Sequence, residues 1–292
     1  MIVMRLKGGL GNQMFQYALG RRLSIDRNTA LALDTSSFRT DHLRVYRLDT
    51  FQISATASDQ LPFFPTTGPK RRINTFLQFF RKLIGQPFDI LKERSFDFEP
   101  SVLNCSTNAF LDGFWQSEQY FLSIRQTLIN DFQPTQPLTG ELAHIAKAIT
   151  QCNAVAIHVR RGDYVSDPTT MNYHGVCSKQ WYEQAAQYMK AKVPELQFFV
   201  FSDDFEWAKT NLSFDAPTTF IKPSPDGLEC HDLYAMSLCK HNIIANSSFS
   251  WWAAWLNQHP NKIVIAPKQW FVAGPQTTDD LIPKSWFGCN HY

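Results

Sequence analysis

The sequence predicts an α/β protein built on parallel sheets, and three observations carry that reading. The chain opens with a strand, a glycine turn, a helix and a second strand; from residue 153 short apolar runs alternate with helical segments; and polar or charged residues follow the same end of every run. Parallel neighbours need a crossover of a dozen or more residues, which an intervening helix supplies.

Residues 2–6 form the first predicted strand and Gly8-Gly9-Leu10-Gly11 the turn. From Asn12 to about Ser24, Met14, Phe15, Ala18, Leu19 and Leu23 fall at helical spacing. Residues 30–33 are the second strand. From 35 to 112, Pro62, Pro65, Pro69 and Pro87 interrupt the pattern, which reads as an irregular insertion with some short helix, closing on a short strand at 110–112. Within it Ile73, Phe76, Leu77, Phe80 and Ile84 share one helical face, with Arg71, Arg72, Arg81 and Lys82 around it. Residues 70–84 therefore suit either a peripheral contact with an anionic membrane surface or an ordinary surface helix packing its apolar stripe on the core. After a helix at 140–149, a boundary near 150 gives two domains, 1–150 and 151–292. In the second, strands at 154–159, 197–201, 219–221, 242–245 and 262–266 alternate with helices at 179–191, 206–212, 228–238 and 251–258, a Rossmann-like half.

Composition narrows the function. With 44% apolar and 18% charged residues the 292-residue chain can build well-packed cores, and a net charge of +2 excludes a broad nucleic-acid-binding face. The start lacks a signal-peptide pattern and no window reaches 18 uninterrupted apolar residues, so a cytoplasmic location is expected, with a peripheral position on the inner face of the membrane if 70–84 serves as a contact. Cys105, Cys152, Cys177, Cys230, Cys239 and Cys289 form no C-x-x-C pair and read as reduced, mostly buried thiols, not metal ligands. Asn104-Cys-Ser106 and Asn246-Ser-Ser248 match the glycosylation sequon only formally.

The strand tips carry the chemistry: His158-Val-Arg-Arg-Gly-Asp163, Ser202-Asp-Asp204, Lys222-Pro-Ser224, Asn246-Ser-Ser-Phe-Ser250 and Pro267-Lys-Gln-Trp270. In a parallel sheet such tips converge on one crevice. Arg160 is suited to clamp diphosphate oxygens, and Asn246, Ser247 and Ser248 lead into a helix starting near Ser250 whose N-terminus attracts anions. Asp203 or Asp204 can accept from the N1–H and N2–H of guanine; the alternative is that they cap the following helix. His158 and Phe249 stand ready beside base or sugar, whereas the spacing of Trp251, Trp252 and Trp255 suits core packing. At the N-terminal turn, Gly11 allows close backbone approach and Asn12 and Gln13 suit sugar hydroxyls; the plainer reading is a tight turn capped by Asn12. Phe114, Trp115 and Gln116 follow the strand at 110–112 and offer a stacking surface for a sugar ring, a galactose if the acceptor is the one the resemblance described next implies.

Three motifs in order, Gly8-Gly-Leu-Gly-Asn-Gln-Met-Phe-Gln-Tyr17, His158-Val-Arg-Arg-Gly-Asp-Tyr164 and Asn246-Ser-Ser-Phe-Ser-Trp-Trp252, resemble the bacterial α-1,2-fucosyltransferases of glycosyltransferase family 11. The resemblance implies a GT-B architecture: two facing Rossmann-like domains with parallel sheets and the active-site cleft between them, GDP-fucose held mainly by the C-terminal domain and the acceptor by the N-terminal one. It implies Arg160 as the main β-phosphate contact, Arg161 as a structural partner, and His158 with one of Asp203 and Asp204 on the guanosine. Ser202 stands beside them, Ser247, Ser248 and Phe249 line the diphosphate, and Asn12 and Gln13 approach the transferred sugar. Asp163 is either a general base or an anchor for the arginine motif. Arg160 and the helix N-terminus would do the work of a divalent ion, and Asp203-Asp204 is not a D-x-D metal loop, so no metal and no other cofactor is expected. The implied substrates are GDP-fucose and a galactose-terminated oligosaccharide or lipid-linked glycan in cell-surface polysaccharide synthesis. An α-1,6- or protein O-fucosyltransferase, or a non-catalytic nucleotide-sugar-binding protein, remains open beside it.

Overall fold

The computed structural model describes residues 1–60, 89–225, 227–274 and 278–289, in two compact units, Met1–Phe132 and Gln133–Tyr292. In the first unit β1 (Ile2–Arg5), β2 (Leu31–Asp34), β3 (Thr56–Ser58), β4 (Asp89–Lys92) and β5 (Ala109–Asp112) form one sheet in the order β3-β2-β1-β5-β4, every pair parallel. The helix α1 (Leu10–Asp26) crosses from β1 to β2 and begins two residues before the expected start. Gly8 makes that early start possible: at φ +79° it turns the chain from strand into helix where a side chain would be strained. Gly20 brings the helix onto the sheet, since a Cβ there would stand 2.8 Å from Leu31 Cδ1. The short helix α2 (Arg125–Asp131) is tied to α1 through Asp131, whose Oδ2 accepts from Tyr17 Oη at 2.6 Å and Arg21 Nε at 3.0 Å.

The second unit holds a six-stranded sheet in the order β11-β10-β9-β6-β7-β8, again wholly parallel. Its strands are β6 (Asn153–Val159), β7 (Leu196–Ser202), β8 (Thr218–Ile221), β9 (His241–Ile243), β10 (Val264–Pro267) and β11 (Phe287–Cys289). The helices are α3 (Gly140–Thr150), α4 (Gly162–Ser166), α5 (Pro168–His174), α6 (Lys179–Lys192), α7 (Phe205–Asn211), α8 (Glu229–Ser237) and α9 (Ser248–Leu256). The boundary expected near 150 lies instead between Phe132 and Gln133. The reason is α3, which buries Ala146 and Ile149 and packs on β6 and α8, so it belongs to the second unit.

Val155, Ile157 and Val159 of β6, Phe198 and Val200 of β7, and Trp181 and Met189 of α6 share one core. On α9, Trp251, Trp252 and Trp255 are fully buried and pack on each other, and Trp251 Nε1 donates to Leu281 O at 2.8 Å. Lys262 closes the other end of that helix, its Nζ donating to Ala254 O at 2.7 Å and Asn257 O at 2.9 Å. Among the described residues Cys105, Cys177, Cys230 and Cys239 are buried, Cys152 is half-buried, and all five are free thiols. No described helix is long and apolar enough to cross a membrane. The amphipathic segment 70–84 lies outside the described residues.

Candidate active site

After β6 the chain winds to one side through β7 and β8, then returns past β6 to lay down β9, β10 and β11 on the other. β6 and β9 are therefore neighbours at a topological switch point, the place where open α/β sheets hold ligands beyond the carboxyl ends of their strands. The arginine motif and the Asn246-Ser-Ser segment, far apart in sequence, leave the sheet at this point, and Ser202-Asp203-Asp204 adjoins them through the pairing of Val159 with Ser202. The β10 tip also reaches the group, through Trp270 O. At the β8 tip Ser224 turns to Asp232, its N and Oγ donating to that carboxylate at 2.9 and 2.7 Å.

Three carboxylates hold the two arginines, two on Arg160 and one on Arg161. Arg160 Nη2 donates to Asp163, and its Nη1 pairs with Asp203 Oδ2 at 2.7 Å. Its guanidinium carbon lies 5.1 Å from the centroid of Tyr164, which stacks on His174 at 4.6 Å. Arg161 is tied off: Nε donates to Asp204 Oδ2 at 3.2 Å and the guanidinium covers Trp207 at 3.8 Å. Of five N–H donors, the two contacts above use one on each of Arg160 Nη1 and Nη2. The acids have more occupation than the guanine reading anticipates. Asp203 Oδ1 accepts from Arg161 N at 2.8 Å, while Asp204 Oδ1 accepts from Trp207 N at 3.2 Å as the N-cap of α7. Helix capping, the alternative weighed for this pair, is what Asp204 does. Ser202 is buried and its Oγ accepts from Asp204 N at 3.0 Å, so it shapes the turn.

His158 is 5% exposed and its Nδ1 has no partner. Burial, and then the charge of Arg160, push its pKa down to about 3, so the ring is neutral at physiological pH. It lies 5.5 Å from Phe249, in the first turn of α9. That helix begins at Ser248, two residues earlier than expected, with Ser247 at its N-cap making no side-chain bond and no acidic residue in the first turn. Ser248 and Phe249 are half-buried, whereas Ser247 is nearly covered. Asn246 corrects the sequence reading. At 2% exposure its Nδ2 donates to His174 O at 2.9 Å, Trp270 O at 3.2 Å and Gly175 O at 3.3 Å, and Oδ1 accepts from Cys177 Sγ at 3.7 Å. It is a buried pin, with no group left for a ligand.

In the first unit the β1 and β5 tips form a second switch point. Gln13 is fully buried: Nε2 donates to Val45 O at 2.8 Å and Gly8 O at 2.9 Å, and Oε1 accepts from Arg47 N at 3.0 Å. It anchors the 45–47 segment and is withdrawn from any sugar. Gly11 is buried within the first turn of α1. Asn12 is half-buried; its Oδ1 accepts from Gln116 Nε2 at 2.7 Å, which leaves the Nδ2 side for a ligand. Trp115 is 1% exposed, at φ +57°, edge-on to Tyr120, so it cannot stack on galactose. Glu93 holds that turn, accepting from Phe114 N at 2.7 Å and Trp115 N at 2.8 Å. Phe114 alone of the three expected residues keeps a half-exposed ring, under Lys7 Nζ at 4.7 Å. Sequence reasoning passed over His174 and Trp207 and quoted Gly162 and Tyr164 within the arginine motif without giving either a role of its own; the signal available for Gly162 was its place directly after the paired arginines.

The family model for glycosyl transferase family 11 matches residues 1–290. The chain belongs to glycosyltransferase family 11. It is 36% identical to an α-1,2-colitosyltransferase of Escherichia coli, over 98% of this chain and 97% of that protein. To a galactoside 2-α-L-fucosyltransferase of Caenorhabditis elegans it is 24% identical, over 98% of this chain and 78% of that one. A solved structure of an Arabidopsis thaliana FUT1 mutant in complex with GDP superposes with a TM-score of 0.50 at 13% identity, covering 91% of this chain and 70% of that one, a likeness of fold. The GT-B-like class read from the motifs matches the two parallel-sheet units of this family 11 enzyme.

Proposed function

We propose that this family 11 glycosyltransferase transfers L-fucose from GDP-β-L-fucose to the 2-hydroxyl of a terminal galactoside, with inversion and without a metal ion. The observation that carries the reading is the guanidinium of Arg160, held by two carboxylates at the tip of β6, at the switch point where the neighbouring strand β9 leads into α9. As the C1–O bond to the β-phosphate breaks, its electron pair goes to the phosphate oxygen, the acceptor oxygen bonds to the opposite face of C1, and the hydroxyl proton passes to solvent water. Negative charge grows on the β-phosphate, where donors already in place stabilise the transition state more than the ground state. Arg160 supplies charge and N–H groups, and the first-turn amides of α9 supply the helix dipole. His158, neutral, offers a hydrogen bond to base or ribose without adding charge. Asn12 Nδ2 serves the sugar being transferred. Asp163, bonded to Arg160, is its anchor in this reading, and a transition state with strong oxocarbenium character asks little of a base.

The decisive assay offers GDP-fucose with Galβ1,3- and Galβ1,4-terminated acceptors, oligosaccharide and lipid-linked, with linkage analysis of the product. A 1,6-linkage, fucosylated protein, or GDP-fucose binding without turnover would each overturn the proposal. Activity lost to EDTA and restored by Mn²⁺ or Mg²⁺ would overturn its metal-free part. A second reading is favoured by the 36% identity to a colitosyltransferase: the donor is GDP-colitose, whose sugar is L-fucose without its 3-hydroxyl. Competing the two donors decides between them. In this reading the enzyme serves cell-surface polysaccharide synthesis on the cytoplasmic side.

A further inference from the structure

We infer that Asp203 is a positioning residue for Arg160, a role that deepens the donor-site reading above and rests on it. Asp203 is seated by the arginine loop itself: Oδ1 accepts from Arg161 N at 2.8 Å, while Oδ2 faces Arg160 Nη1 at 2.7 Å. Asp163 takes Arg160 Nη2 from within the same loop. The guanidinium is thus gripped at both outer nitrogens by carboxylates on two different strand tips, and a planar fork held at two points has its direction fixed. Gly162 completes the device, because a Cβ there would stand 2.5 Å from Asp203 Oδ2 and drive the carboxylate off its seat. Asp204, the neighbouring acid, serves Arg161 and the α7 cap instead, so the two acids at the β7 tip divide the two arginines at the β6 tip.

The test is a double-mutant cycle read by GDP titration calorimetry and by donor kcat/KM, with thermal melting as a check on folding. Asp203→Asn lowers both affinity and kcat/KM by about 10- to 100-fold in the wild-type background, the range of strong pairwise coupling, and by less than about threefold when Arg160 is already alanine. Gly162→Ala reproduces the Asp203→Asn defect and adds little to it. Equal losses in both Arg160 backgrounds, or no loss in either, overturn the inference while leaving the donor reading intact. A wild-type protein that melts normally yet binds no GDP overturns both. If Asp203→Asn unfolds the chain, Gly162→Ala in the same cycle carries the decision.

Discussion

Replacing Asn246 with alanine separates a ligand contact from a structural pin. Two amide hydrogens on Nδ2 are shared among three backbone carbonyls, at 2.9, 3.3 and 3.2 Å, from α5, the residue after it, and the β10 tip, and the side chain is 2% exposed. Truncation removes two hydrogen bonds worth about 1 kcal/mol each and strands buried carbonyls at about 1–3 kcal/mol apiece, part of which relaxation recovers. The expected loss is about 2–4 kcal/mol in the second unit, and at about 2–4 °C per kcal/mol its melting transition falls by roughly 5–15 °C. Differential scanning calorimetry and urea unfolding measure it, with GDP titration run well below the lowered midpoint. Unchanged melting together with lost GDP affinity would refute the reasoning and return Asn246 to the donor site.

Three further outcomes follow from buried or half-buried polar groups. His158 carries a folded pKa of about 3 against an unfolded value near 6.5, so between those values only the unfolded chain binds the proton. Stability therefore falls as pH drops below about 6.5, by about 1.4 kcal/mol per unit from this group, with His241, at about 4, acting in the same direction. Urea midpoints from about pH 7 to about pH 5 should fall less steeply for His158→Gln, and an identical slope would remove His158 from the account. Gln13→Ala should cost about 2–4 kcal/mol and speed hydrogen exchange at the Arg47 amide; unaltered exchange would show that the amide has another anchor. Lys262→Ala strips the carbonyls at the end of α9 of their cation and should cost about 1–3 kcal/mol, read from chemical unfolding, with a change under a few tenths counting against the cap.

The sequence made the strongly periodic parts legible and left the geometry of the polar ones hidden. α1, β6, β7 and α6 show clean apolar spacing, and reasoning from it found them within a few residues. β3 and β4 escaped because they are short edge strands whose side chains are mostly exposed, so alternation is not enforced by a core. α4 and α5 escaped because Pro168 and a polar sequence hide two short helices after the arginine motif. At the strand tips residue type located the crevice, but it could not say which amide faces inward. Asn12 and Gln13 are adjacent, yet only the first keeps an open edge, because α1 turns the second toward the 45–47 segment. Asp203 and Asp204 are likewise adjacent and serve different arginines.

The wholly parallel sheets also govern how the chain reaches this state. Among the described residues no two consecutive strands close as a hairpin, so these pairings wait for distant partners: Ile2 for Ala109, Val155 for His241. Until β9 emerges from the ribosome, one edge of the apolar β6 ribbon stays open to other chains, and slow, long-range pairing of this kind exposes nascent protein to aggregation. Slowed translation and chaperone supply during expression bear directly on the yield of active enzyme.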